Sequence, residues 1–496
     1  MGYDREENPG CKEDLIRYLH SWGLREFRDE ASYYEWQRSI LSEEELRGLH
    51  RLIERRHGDE HVDCDIEFYD VLARPDLVPV LYSQRFNYFL TIGSFICSRI
   101  PPADRVLDFG CGVGILTSFF AQQHPDIEFI GIDRSSRSIE VACLEAEKRQ
   151  LRNIRFQVSE VPLYSISGTY DLILSTQALF QAEREPGLPS RSWRSFQREG
   201  DLQRQKQLEI RTGLQGRLDA LISALRPMGR MILFEKTWNL GRRIFFQRAL
   251  EARGFLPVSD SAPCRYRSLD EEVIDGPVYE VARLLNKKFS TWDEEPYREP
   301  GETLYRCKGF PAGRMGRELA KDGLLETVSG IDSSVGSWIF RFGLWHQILA
   351  WGFYENASGF QGLVVGGEED KDLLFQLIET VKKIQESDFK QLVRDCWDHV
   401  GHTEDDRSVP CYENHHPSAQ NIFETLPCKH IQQEATFQDA EGREMHIEMG
   451  RTNQLLYLYW ANTFDQRQLV LMDEGRTHVL KTYYRESLDH SQGPPA

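Results

Sequence analysis

Arg105-Val-Leu-Asp-Phe-Gly-Cys-Gly-Val-Gly-Ile115 joins a buried strand to a helix through a glycine-rich turn. The strand runs from Val106 to Phe109 and the helix from about Ile115 to Gln122. A turn whose backbone lies against a ligand needs residues without Cβ, and Gly110, Gly112 and Gly114 supply three in five positions. The helix behind the turn directs its free N–H groups at whatever occupies it.

Spacing narrows the ligand. A pyrophosphate-binding fingerprint needs Gly-x-Gly-x-x-Gly, but counting from Gly110 the third slot is Ile115, and counting from Gly112 it is Thr117. A dinucleotide is therefore disfavoured. Nineteen residues beyond Gly114, Ile127-Glu-Phe-Ile-Gly-Ile-Asp133 is a second apolar strand ending in a carboxylate, placed to accept both hydroxyls of a ribose. Strand, Gly-x-Gly-x-Gly turn, helix, strand and acid is the order needed for a nucleoside without a diphosphate.

In these two motifs the chain resembles the class I S-adenosylmethionine-dependent methyltransferases. The resemblance covers about residues 100–285 and implies a Rossmann-like, mainly parallel seven-stranded sheet with S-adenosyl-L-methionine as cofactor. Carried onto this sequence, it implies cofactor contacts from Asp108, Gly110, Cys111, Gly112 and Gly114, and from Asp133 with Arg134 beside it. Glu160 stands where the family places an acid on the adenine amino group, and Ser175 ends the fourth strand. Helices ahead of the first motif often fold over the cofactor in this family, which makes Tyr82 and Arg85 candidates to reach it.

Residues 1–100 read as a helical cap. Leu15, Tyr18, Leu19 and Trp22 share one helical face, Ser42 and Glu45 form a capping box, and one segment runs from Val78 to Ile100. Residues 101–290 alternate strands with helices, including Ile154–Val158, Tyr170–Ser175 and Arg230–Glu235, as in a parallel sheet covered on both faces. Pro277–Ala282 is expected as its antiparallel last strand. The stretch 182–213 is longer than such a connection needs, and reads either as a substrate-facing lid or as a solvated helical insertion. Residues 291–304 are polar with two prolines and a glycine, and form the expected linker.

Residues 305–496 read as an α+β accessory domain. Strands are expected in 337–353, 359–365 and 445–472, with a helix that carries Leu373, Leu374, Leu377, Ile378 and Val381 on one face. Gly343, Gln347 and Gln361 recur 107 residues later as Gly450, Gln454 and Gln468, and Met315 and Leu319 as Ile422 and Leu426. We read an internal duplication, 305–385 and 411–490, of one helix plus a meander, suited to recognition or to homodimer formation. Cys396, His399, His402, Cys411, His415, His416, Cys428 and His430 crowd together, but no compact pair among them has the spacing of a zinc knuckle, so no metal is assigned.

A net charge of −18 argues against broad phosphate-backbone binding, and hence against a nucleic-acid partner. No apolar run of membrane-spanning length and no signal-peptide core appear, so a cytoplasmic protein without a membrane partner is expected. The ten cysteines form no Cys-x-x-Cys pair, and reduced thiols are the default. After Ser175 there is neither an Asn-Pro-Pro-Tyr-like run nor a Pro-Cys nucleophile, which favours a small-molecule or peptide acceptor. Gln177, Phe180, Glu235, Lys236 and Trp238 are the candidates to face that acceptor. No fixed catalytic residue is expected, because the cofactor brings the activated leaving group. The alternative is a non-catalytic scaffold that keeps the fold and acts through its C-terminal domain.

Overall fold

In the computed structural model, β1 (Arg105–Phe109) is central to a seven-stranded sheet. The structure describes residues 9–58, 62–159, 166–180, 187–198, 200–259, 262–283, 292–294, 305–308, 316–317, 319–321, 323–332, 336–345, 349–357, 361–366, 411–414, 418–426, 428–438, 443–452, 455–463, 467–473 and 477–491. They fall into two compact units, Met1–Gly187 with Gly200–Asp293, and Leu188–Glu199 with Glu294–Ala496.

The first unit opens with α1 (Pro9–Ser21), α2 (Glu30–Ile40), α3 (Glu43–Gly58), α4 (Val62–Leu72), α5 (Val78–Ser83) and α6 (Phe86–Cys97). Leu15, Tyr18, Leu19 and Trp22 are buried together with Ile92, Ile96 and Phe119, so the apolar face of α1 lies in the same core as the sheet's first helices. The capping box closes as its spacing implies, with the Ser42 N–H donating to Glu45 Oε2 at 3.0 Å and the Glu45 N–H to Ser42 Oγ at 3.3 Å. The single segment expected over 78–100 is instead two helices, parted at Gln84–Arg85. Ser83 is tied back to the chain at Arg25, whose N–H donates to its Oγ at 2.9 Å.

After β1 come α7 (Ile115–Gln123), β2 (Glu128–Asp133), α8 (Ser136–Lys148), β3 (Ile154–Val158) and β4 (Tyr170–Thr176). Then follow the hairpin β5 (Ser190–Ser192) and β6 (Ser195–Arg198), α9 (Leu202–Arg211), α10 (Leu214–Ala224), β7 (Leu225–Phe234), α11 (Leu240–Glu251) and β8 (Phe255–Pro257). A second hairpin, β9 (Cys264–Ser268) and β10 (Glu271–Asp275), precedes β11 (Val278–Arg283). The sheet order is β3-β2-β1-β4-β7-β11-β8. The first five strands are parallel, and β11 is antiparallel to both β7 and β8. The expected antiparallel strand is thus present but second from the edge, which β8 occupies. Val106, Leu107, Leu172, Ile173, Met231, Ile232 and Leu233 are all fully buried, as parallel strands covered on both faces require.

The described residues of the stretch 182–213 form a hairpin and a helix rather than a helix alone. Its hairpin β5–β6 belongs to the second unit, where Trp193 is buried, and its helix α9 to the first. Among its other described residues the second unit holds the helices Ser418–Thr425 and Thr477–Ser491 and two antiparallel sheets. One contains β12 (Tyr305–Lys308), β13 (Leu324–Asp332), β14 (Gly336–Trp345), β15 (Leu349–Asn356) and β16 (Gln361–Gly366), in the order β12-β16-β15-β14-β13. The other contains β17 (Cys411–Asn414), β18 (Lys429–Gln438), β19 (Glu444–Thr452), β20 (Leu455–Asn462) and β21 (Gln468–Asp473), in the order β17-β21-β20-β19-β18. The two orders are the same.

The repeated glycines sit at the same point of each sheet. Gly343 lies opposite Leu324 where β13 bulges, and Gly450 opposite Ile431 where β18 bulges. A Cβ on Gly343 would stand 1.9 Å from the Gly323 carbonyl oxygen, and one on Gly450 2.4 Å from that of His430. Leu319 and Leu426 share one buried cluster with Trp351, Phe353, Tyr457 and Tyr459. Among the described residues each sheet therefore holds five strands, more than the helix plus meander expected from the sequence. Gln347, Gln454, Met315, the helix expected over 373–381 and most of the linker lie outside the described residues, as do Cys396, His399, His402, His415 and His416. Among the described residues no helix is long and apolar enough to cross a membrane.

Candidate functional site

The carboxyl ends of β1, β2 and β4 converge where the glycine turn leaves the sheet. Gly110, Gly112 and Gly114 all adopt positive φ (74°, 55° and 78°), the left-handed backbone that glycine adopts without strain. Their surroundings differ. A Cβ on Gly110 would stand 2.2 Å from the Ala178 Cβ, and one on Gly114 2.7 Å from Phe156 and 2.9 Å from Ala142. At Gly112 a Cβ would meet nothing within 4 Å. Two of the glycines therefore serve packing, and Gly112 is the one whose backbone borders open space.

Asp133 fixes that backbone from the end of β2. The Gly112 N–H donates to Asp133 Oδ2 and the Ser135 N–H to Oδ1, each at 2.9 Å. Burial pushes the Asp133 carboxyl up, against these two N–H groups, which hold it down. Each of its oxygens retains further acceptor capacity. Beneath the turn, Asp108 is 5% exposed and accepts from the Thr117 hydroxyl; burial lifts it to about 7. Cys111 is half-buried, and desolvation raises its thiol well above the usual range.

The helical cap reaches the same place. Tyr82 stacks on Phe89 with ring centroids 6.1 Å apart, and its hydroxyl feels the charges of Arg85, Asp133 and Cys111 while burial raises it. Arg85 donates from Nη2 to Gln177 Oε1 at 2.7 Å and lies over the Tyr88 ring at 4.1 Å. Gln177 itself has φ 55°, and its N–H donates to the Phe234 carbonyl at 2.7 Å. The cap thus holds the turn after β4 through one side-chain hydrogen bond between Arg85 and Gln177.

Other expected site residues stand elsewhere. Ser175 is fully buried and its Oγ has no hydrogen-bond partner. Phe180 packs between Phe245 and Phe246 of α11, at 5.9 and 5.8 Å, so it belongs to the core and not to an acceptor surface. Glu235 is 1% exposed, and its Oε1 accepts the N–H groups of Ala178 and Leu179 at 3.0 and 2.9 Å. It secures the turn after β4 from below and presents no carboxylate to an acceptor. Burial lifts it to about 8. Lys236 and Trp238 are half-buried beyond β7, the Trp238 N–H donating to Asp275 Oδ1 at 3.3 Å. Arg134 is half-buried beside Asp133, and Glu160 lies outside the described residues.

One participant had no signal in the sequence. Asp70 of α4 accepts from the Ser135 hydroxyl at 2.6 Å, while Ser135 Oγ accepts the Ser138 N–H at 3.0 Å and caps α8. Asp70 also lines an open groove of about 560 Å³ with Ile66, Glu67, Val71, Arg74 and Arg137. None of the residues that border the glycine turn lines that groove.

Comparison with known proteins places this geometry. The methyltransferase domain family matches residues 100–234. A release factor glutamine methyltransferase of Aliivibrio fischeri is 28% identical over 142 residues, covering 28% of this chain and 50% of that protein. A trans-aconitate 2-methyltransferase of Deinococcus radiodurans is 34% identical over 92 residues, covering 18% of this chain and 33% of that protein. The chain thus spans half or less of the length of these relatives. Among solved structures, a precorrin-6y C5,15-methyltransferase from Geobacter metallireducens aligns over 39% of this chain and 88% of its own, with a TM-score of 0.27 and 14% identity. The stretch from residue 100 to residue 234, with its strand, glycine turn, helix and acid-tipped second strand, is thus similar to a methyltransferase domain.

Proposed function

We propose that this protein binds S-adenosyl-L-methionine at the Gly110–Gly114 turn and transfers its methyl group to a small-molecule or peptide acceptor. The observation that carries this reading is the open space at Gly112 beside the Asp133 carboxylate. A backbone with no Cβ suits the flat approach of a nucleoside, and a partly exposed carboxylate with free acceptor capacity suits a ribose diol. When bound, the sulfonium cofactor supplies a methyl group already activated toward displacement.

The chain's own residues would then hold, align and shield. Asp133 keeps the turn in its left-handed form and orients the ribose. Tyr82 closes the site from the cap, and the Arg85–Gln177 hydrogen bond fixes the segment after β4, where an acceptor must stand in line with the donor. Alignment and water exclusion of this kind lower a displacement barrier without a dedicated acid or base. The acceptor class rests on the acidic composition and on the relatives, one named for a release factor glutamine and one for trans-aconitate.

Methyl-labelled cofactor, incubated with the full chain and separated pools of small molecules, peptides and nucleic acid, tests this reading. Label is expected in the small-molecule or peptide pool and should fall at least tenfold with Gly112→Ala. Label appearing in nucleic acid alone would overturn the acceptor class.

A further inference from the structure

The sheet β17–β21 carries a second chemically equipped cluster. His446 and Glu448 lie two apart on β19 and share a face. Directly across on β18, Thr436 stands opposite His446, and Glu434 opposite Glu448. Carboxylates directly opposed on paired strands repel. Glu448 is 5% exposed, yet its Oε1 accepts the Tyr457 hydroxyl at 2.5 Å, while Glu434 is exposed.

His446 is fully buried. Its Nδ1 lies 2.9 Å from Thr436 Oγ1, and its Nε2 has no hydrogen-bond partner and stands 4.0 Å from Glu448 Oε2. A buried ring nitrogen left unpaired is unfavourable unless something occupies its lone pair. One ligand atom from each of Glu434, His446 and Glu448 lies within 4.8 Å of the others.

We propose that Glu434, His446 and Glu448 bind a divalent transition-metal ion of the Zn2+ type, His446 through Nε2 and each glutamate through a carboxylate oxygen. Thr436 accepts from Nδ1–H, which selects the tautomer whose Nε2 lone pair is free to ligate.

Second contacts hold the ligands in place. Trp193 stacks on the imidazole at 3.6 Å with planes 2° apart, and Tyr457 orients Glu448. The nearby cation Lys429 is directed elsewhere, donating to the Phe423 carbonyl at 3.1 Å with its ammonium over the Phe423 ring. Tetrahedral bonds of about 2.0–2.2 Å place ligand atoms roughly 3.3–3.6 Å apart, so the three side chains close by about 1 Å on binding. One imidazole with two carboxylates favours Zn2+ or Co2+ over Mg2+ or Ca2+. The exposed Glu434 provides the entry path.

Titration of the metal-free full chain with Co2+, followed by visible absorption and by displacement with Zn2+, tests the site. One equivalent is expected to give a four-coordinate band. Glu434→Gln, on an exposed position and with an unchanged melting temperature, should weaken binding at least tenfold, and His446→Gln should abolish the band. No band with the wild type, or a band equally strong in both variants, would overturn the assignment; the second result would place the ion among the cysteines and histidines of 396–430.

Discussion

Gly112 and Gly110 are two residues apart, share a positive φ, and do different things. Gly110 faces the Ala178 Cβ, so Gly110→Ala should cost about 2–4 kcal/mol of stability, from backbone strain plus overpacking. Gly112 faces open space, so Gly112→Ala should cost only about 1–2 kcal/mol while weakening S-adenosylhomocysteine binding at least tenfold. Thermal unfolding beside calorimetry separates the two effects. Glu235 gives a pH test. A carboxyl raised from 4.5 to about 8 by folding contributes stability that is present below its unfolded pKa and lost as the pH rises through the folded one. Wild-type stability should therefore fall between pH 5 and pH 8, and Glu235→Gln should flatten that fall; parallel curves would show that Glu235 does not titrate there. The pairing of Asp133 with the Gly112 backbone follows from the spacing of the two motifs, each at the end of an apolar strand. Phe180 and Glu235 were misjudged because a position at a strand's end does not reveal which side chain the next helix covers; here α11 covers one and the turn it supports hides the other.

The parallel strands β1, β2 and β4 announced themselves as apolar runs, since both of their faces are buried. β18 did not. Only Lys429, Ala435 and Phe437 are half-buried and its other residues are exposed, and the bulge between Ile431 and Gln433 interrupts the alternation of apolar and polar positions. The hairpin β5–β6 gave as little signal, because its strands are very short; the residues it buries include Ser190, Trp193 and Arg198. Trp193 packs on His446, Phe423 and Tyr459, and Trp193→Ala should destabilise the second unit by about 3–5 kcal/mol, read by chemical denaturation. The likeness of the two five-stranded sheets shows where physics forbids drift. Gly343 and Gly450 each face a carbonyl oxygen across a bulge and leave no room for a Cβ, whereas the surrounding strands were free to diverge.

At the scale of the molecule, the return of 188–199 to the second unit was not readable from composition. Residues 294–496 expressed alone lack the Trp193 hairpin and leave Phe423 and Tyr459 uncovered. They should unfold at a lower temperature than the same unit in the full chain, and adding 188–199 through a short linker should restore it; equal melting temperatures without the hairpin would contradict this division. The central claim, that the glycine turn and Asp133 form a cofactor site, is tested most directly by calorimetric titration of the full chain with S-adenosylhomocysteine, beside Asp133→Ala and Gly112→Ala. Micromolar binding by the wild type, lost in Asp133→Ala and weakened in a folded Gly112→Ala, is the predicted result. No binding by the folded wild type, or equal binding by all three, would contradict it.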